Sequence, residues 1–114
     1  MRSDLERLED IQEAIAKIEK YTQRGQAVFF EDELIQTWVL FHLQTVGEAA
    51  SSMSAEFRSR YPDVPWQDAI DFRNLVVHEY FRVDFRIVWR IVELDLPAFR
   101  LQVAMMLRGE GDDQ

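Results

Sequence analysis

Ser3–Ile18 reads SDLERLEDIQEAIAKI, and this stretch decides the fold class. Ser3 followed by Glu6 is a capping-box pattern: the serine hydroxyl accepts from an orphan amide of the first turn while the glutamate reaches back. Behind it Leu5, Leu8, Ile11, Ile15 and Ile18 recur at three- and four-residue steps. That is the stripe of a helix with one buried face. Gly25 is the expected stop.

The same period continues along the chain. Acidic Glu31-Asp32-Glu33 suits a helix N-terminus, and Leu34, Ile35, Trp38, Val39, Leu43, Val46, Ala50 and Met53 extend a second helix to about Arg58. Tyr61-Pro62-Asp63-Val64-Pro65-Trp66 breaks it, and Pro65 fits the first turn of a third helix, where its missing amide costs nothing. Asp84 caps a fourth helix, Phe85 to Leu94, and Asp95-Leu96-Pro97 restarts a fifth that ends near Gly109. No run alternates apolar and polar residues over a strand length. The fold class is therefore all-α, an antiparallel bundle of about five helices. One domain spans residues 1–108, and 109–114 form a flexible acidic tail.

The fourth helix is too apolar for one buried face. Phe85, Val88, Trp89 and Val92 make one row, and Ile87, Ile91 and Leu94 a second beside it. Burial on two sides, or a central place in a monomer, explains such a surface equally well.

Composition bounds the function. The 114 residues carry a net charge of −8, which argues against a broad grip on a nucleic-acid backbone but leaves room for a local basic site. Cysteine is absent, which removes disulfides, thiolate metal sites and a cysteine nucleophile. No apolar run approaches a membrane span and the N-terminus is charged, so a soluble cytoplasmic protein is expected.

Chemistry concentrates at Arg73-Asn74-Leu75-Val76-Val77-His78-Glu79-Tyr80. Arginine and histidine in an apolar run need a reason, because burying them without partners is costly. Arg73 offers a permanently charged planar fork that suits phosphate. His78 titrates near neutral pH and can take or give a proton. Asn74, one turn before His78, can fix the imidazole tautomer or orient the chain, and Tyr80 supplies a hydroxyl. Together these groups suit RNA cleavage without a metal: the imidazole acts on a 2′-hydroxyl or on the leaving oxygen, and the guanidinium steadies the extra phosphate charge. On an ideal helix Arg73 and Tyr80 share a face, whereas Arg73 and His78 stand roughly 140° apart. Either the helix breaks near His78 or the site is assembled across a dimer axis. A dimer would also supply the second histidine that acid–base cleavage wants. A satisfied hydrogen-bond network is the bland alternative.

Other candidates are weaker. Arg82, Arg86 and Arg90 recur every four residues as a basic stripe that could contact RNA or a partner, although a salt-bridged surface is the commoner outcome. Glu48, in the small-residue stretch Gly47-Glu48-Ala49-Ala50, could pair with Arg73. His42 reads as a surface or boundary residue, Trp66 and Trp89 as core. Two histidines without a carboxylate pattern make no metal site, and no cofactor is implied.

Arg73-Asn74-x-x-x-His78-x-Tyr80 resembles the signature of HEPN domains in the form found in HepT-like toxins. Tyr21-Thr22, Val46-Gly47-Glu48-Ala49, Tyr61-Pro62-x-x-Pro65-Trp66 and Val83-Asp84-x-x-Ile87-Val88-Trp89 extend the resemblance over roughly residues 5–107. It implies a dimerising helical bundle whose motif lines a cleft between subunits, and a metal-independent endoribonuclease toxin with Arg73 and His78 catalytic and Asn74 supporting. It also implies a partner, an MntA-like minimal nucleotidyltransferase antitoxin that silences the toxin by transferring AMP to Tyr80, in a homodimer or a hetero-oligomer with that antitoxin. The rival expectation is a non-catalytic helical module that binds a nucleotide or the partner.

Overall fold

The first helix forms as its sequence dictates. In the computed structural model, which describes residues 2–112, α1 runs over Asp4–Thr22 with the complete capping box: Glu6 N–H donates to Ser3 Oγ, and Ser3 N–H to Glu6. Leu8, Ile11, Ile15 and Ile18 are wholly buried. The described residues are helical without any strand.

Gly25 stops α1 at a φ of 102°, a conformation that a side chain would resist. A short helix that periodicity did not reveal follows, α2 (Gln26–Glu31), with Phe29 buried against Trp89 and Phe85. Asp32 then caps α3 (Glu33–Ser52) by accepting from Leu34 and Ile35 N–H. The second helix expected to reach Arg58 ends six residues early. Met53 turns extended, and Ser54 starts α4 (Ala55–Arg60), its hydroxyl accepting from Phe57 N–H. Asp4 holds this corner by accepting from both the N–H and the hydroxyl of Ser54 at 2.9 and 2.7 Å. Periodicity missed the break because Ala50, Met53 and Phe57 keep helical spacing across it, and all three are buried.

Pro65 caps α5 (Trp66–His78) from just outside the helix. Trp66 is buried as expected, its indole N–H donating to Tyr61 O at 3.0 Å. After α5 come a 3₁₀ turn (Tyr80–Arg82), α6 (Phe85–Arg90), a π turn (Ile91–Asp95) and α7 (Leu96–Asp112).

The expected restart at Asp95 does not occur. The segments from Phe85 to Asp112 form one rod. Leu96 N–H bonds to Ile91 O, five residues back. This wide turn comes just before Pro97, which has no N–H and whose ring would crowd the carbonyl of Glu93 in a regular helix. The core row steps Val88, Val92, Leu96, Phe99, Val103, Met106 through this turn. The rod continues past Gly109, the expected end: Glu110 accepts from Tyr61 Oη at 2.6 Å and pairs with Arg60 at 3.2 Å. Residues 113 and 114 of the expected tail lie outside the described residues.

His42 corrects another expectation. It is 6 % exposed, with ring contacts to Trp38 and Phe41 and no partner for Nε2. Burial, together with nearby Lys17, lowers its pKa below the ordinary 6.5. The unfolded chain therefore binds this proton more readily, and the stability tied to neutral His42 is lost as pH falls below about 6.5. His42→Gln should flatten that part of the stability profile, and urea melts of both proteins at pH 8 and pH 5.5 provide the check.

Candidate functional site

The site begins with a missing side chain. A Cβ at Gly47 would stand 2.6 Å from the carbonyl oxygen of Ala69 and closer still to Cβ of Arg73. α3 and α5 therefore touch nearly backbone to backbone. They run antiparallel: Gly47 meets Ala69 and Arg73, while Leu40, Phe41 and Gln44 line a shallow groove of about 390 Å³ with Val76, Val77 and Tyr80.

Arg73 is braced where the helices meet. Its Nη1 donates to Asn74 Oδ1 at 3.0 Å, and Nη2 stands 3.6 Å from Glu48 Oε1. Its Nε is buried without a partner. Glu48 is half exposed and accepts from Gln44 as well, so this ion pair is weak and open to exchange. A buried N–H lacking an acceptor is costly, and such groups recur where a ligand completes the bonding. Asn74 thus serves the arginine; the structure does not bring it to the imidazole.

His78 is the last residue of α5, and it is exposed. Glu79 leaves helical geometry at φ −140°, ψ 48°, its N–H still bonded to Leu75 O at 2.8 Å. The helix does break near the histidine, but just after it. Arg73 and His78 therefore remain on one straight helix, roughly 140° apart. One chain does not converge them on one atom.

The break acts on Tyr80 instead. The phenol joins the groove with Phe41 and Val77 and is 54 % exposed, and Phe81 beside it is 84 % exposed. Phe41 and Phe81 were not singled out in the sequence. Their signal was weak, since an aromatic next to a buried stripe reads as core until the helix's rotation is known.

The expected basic stripe is divided. Arg82 belongs to the 3₁₀ turn and pairs with Glu79 at 3.0 Å, and Arg86 pairs with Asp84 at 2.9 Å across the next cap. Arg86 in turn holds the Asp84 carboxyl below its usual range. Arg90 is exposed on α6. The extended backbone at Val83 and Asp84 separates Arg82 from the other two, and Arg82 and Arg86 are both salt-bridged.

Helices of this order, with Arg73, Asn74, His78 and Tyr80 at the end of α5, define a class. Residues 11–106 match the family model described as "Ribonuclease HepT-like", and the chain belongs to that family. Among similar proteins is one from Thermococcus cleftensis named "Probable ribonuclease HepT", 36 % identical over 103 residues that cover 87 % of this chain and 91 % of the relative. A Methanocaldococcus jannaschii protein named "Putative RNase MJ1380" is 32 % identical over 78 residues, 68 % of this chain and 72 % of its own. A second protein of that organism, named "Gamma-glutamylcyclotransferase and putative RNase MJ0434", is 30 % identical over 109 residues, 94 % of this chain and 49 % of its own. No solved structure matches. No helix among the described residues is long and apolar enough to cross a membrane.

Gly47 is the position on which this geometry turns. Gly47→Ala should lower stability by about 1–3 kcal/mol, the usual cost of overpacking. Far-ultraviolet dichroism should remain helical while the urea midpoint falls.

Proposed function

We propose that this protein is a metal-independent endoribonuclease, the toxin of a toxin–antitoxin pair, whose site forms where two copies meet. The observation that carries this reading is Arg73: a guanidinium aimed by Asn74, loosely held by Glu48, and left with one buried N–H unsatisfied. A phosphodiester oxygen is an acceptor that can displace Glu48 from the outer edge of that fork. RNases are what the relatives' names describe.

His78 takes the proton of a 2′-hydroxyl, the oxygen attacks the adjacent phosphorus, and the 5′-oxygen leaves with a proton from a second imidazole. Arg73 stabilises the charge that builds on the phosphoryl oxygens. Because the two side chains diverge within one chain, a two-fold dimer sets one subunit's Arg73 opposite the other's His78 and provides both histidines. The apolar side chains Phe41, Val77 and Phe81, exposed beside the motif, support an interface on this face. Tyr80 is exposed there too and stands as the acceptor for AMP from a minimal nucleotidyltransferase antitoxin. An adenylyl group at that place would add bulk and negative charge where RNA phosphate must approach.

Two variants test the chemistry. His78→Ala should reduce cleavage of a single-stranded RNA by about 10²–10⁴-fold, and Arg73→Ala by about 10²–10³-fold; EDTA should change neither the wild-type rate nor its products. Mixing wild type with an equal amount of His78→Ala should roughly halve the activity once subunits exchange, since a quarter of the dimers, not half, then carry both histidines. Unchanged activity despite subunit exchange would refute the composite site. Retained cleavage by folded His78→Ala would refute the chemistry. Binding of a nucleotide or of the partner by wild type that leaves RNA intact would favour the non-catalytic module, a reading that the net charge of −8 mildly favours.

Tyr80 has its own readout. Co-expression with an adjacent nucleotidyltransferase should raise the intact mass by whole AMP units in the wild type and leave Tyr80→Phe unchanged.

A further inference from the structure

The second apolar row of the C-terminal rod is left uncovered by the fold. Ile87, Ile91, Leu94, Ala98, Leu101 and Met105 recur at alternating steps of four and three, the spacing of a seam that packs on another helix. Leu94, Leu101 and Met105 are each about 60 % exposed. From Ile91 to Met105 the row extends roughly 21 Å.

Beside it, between the rod and the start of α5, lies a groove of about 370 Å³. Val46, Phe72 and Phe99 line it, and the π turn contributes Ile91, Leu94 and Asp95. Asp63, Asp68 and Asp95 are its charged residues, and no Lys or Arg lines it. None of the three carboxylates forms an ion pair among the described residues. This groove meets α5 at Asp68, Ala69 and Phe72, whereas the motif face uses Arg73, Val77 and the turn beyond. The two surfaces are separate.

We propose that this groove and its flanking seam dock a helix of a protein partner, one whose apolar ridge is bordered by Lys and Arg. The seam supplies the length and spacing that a helix ridge reads, and the groove accepts its larger side chains. The three unpaired carboxylates select the sign of the partner's flanks. That charge disfavours an anionic membrane and an RNA backbone. It also disfavours a second copy across a two-fold axis, which would set the same carboxylates against each other.

The proposal does not depend on the ribonuclease reading, and its test leaves that reading untouched. The probe is a fluorescein-labelled synthetic helix of roughly 18 residues, about 27 Å long, with leucines at alternating three- and four-residue steps and lysines on both flanks. Its anisotropy is followed on titration with the full chain. Wild type should bind it, and Leu94→Glu and Leu101→Glu should each weaken binding at least about ten-fold, a change of about 1.4 kcal/mol. Asp95→Lys should weaken it clearly, while Glu9→Lys, the same charge change on exposed α1, should do so far less. A peptide with glutamates in place of the lysines should bind at least about ten-fold more weakly. Both leucines are exposed, so a dichroism spectrum and melting curve verify that the variants fold.

Absence of binding to wild type would overturn the proposal, as would equal binding by folded Leu94→Glu, or equal losses in Asp95→Lys and Glu9→Lys. Sedimentation velocity provides the last arm. A self-assembled species that Leu101→Glu dissociates would assign the seam to a second copy and overturn the proposal as well.

Discussion

Backbone contact between α3 and α5 at Gly47 is the constraint on which the rest of the structure depends. Helix axes usually stand 8–10 Å apart, set by the side chains at the contact. Removing one side chain lets Ala69 and Arg73 settle directly on α3. Arg73 is thereby brought within reach of Glu48, the residue next to Gly47. The same approach brings Phe41 alongside Val77 and Tyr80 further along the pair. A looser crossing would still bury Val39, Leu43 and Val76, but it would not hold a guanidinium against the surface with one N–H enclosed.

Electrostatics at the motif are local, and they run against the whole. A chain of net charge −8 repels polyanions at a distance, so affinity for a phosphate must come from short range. In the proposed reading Arg73 meets that requirement through geometry, because Asn74 and Glu48 hold the fork without neutralising it. Arg82 and Arg86, more exposed and more obvious in the sequence, are already engaged by Glu79 and Asp84. Number of cations is a poor guide here; freedom to exchange partners is a better one.

The sequence revealed the helical class, the Ser3 cap, the Pro65 boundary and the helix start after Asp84, because each rests on local chemistry between residues a few positions apart. It hid the Met53–Ser54 break, since Ala50, Met53 and Phe57 satisfy the helical period whether or not the helix is continuous. It hid α2 as well, where Phe29 is held by the distant Phe85 and Trp89. Of the motif, residue types were legible and alliances were not. Asn74 stands one turn before His78 and reads as a partner for the imidazole, whereas side-chain placement gives it to the adjacent Arg73. His42 failed as a surface residue for a related reason: its burial comes from Trp38 and Phe41 on its own helix, against α1. The family resemblance supplied what periodicity could not, namely which polar groups to consider together.

The π turn has a further consequence for the rod as a mechanical part. A proline inside a helix normally interrupts it, because one backbone hydrogen bond is lost and the ring crowds the carbonyl four residues back. Here the wide turn takes up that interruption: Leu96 N–H reaches back five residues to Ile91 O, and the buried row passes from Val88 and Val92 to Phe99 and Val103 on the far side. The turn works as a splice between α6 and α7. The Asp84 cap at one end and the Tyr61–Glu110 hydrogen bond near the other are thereby joined through one member of the frame.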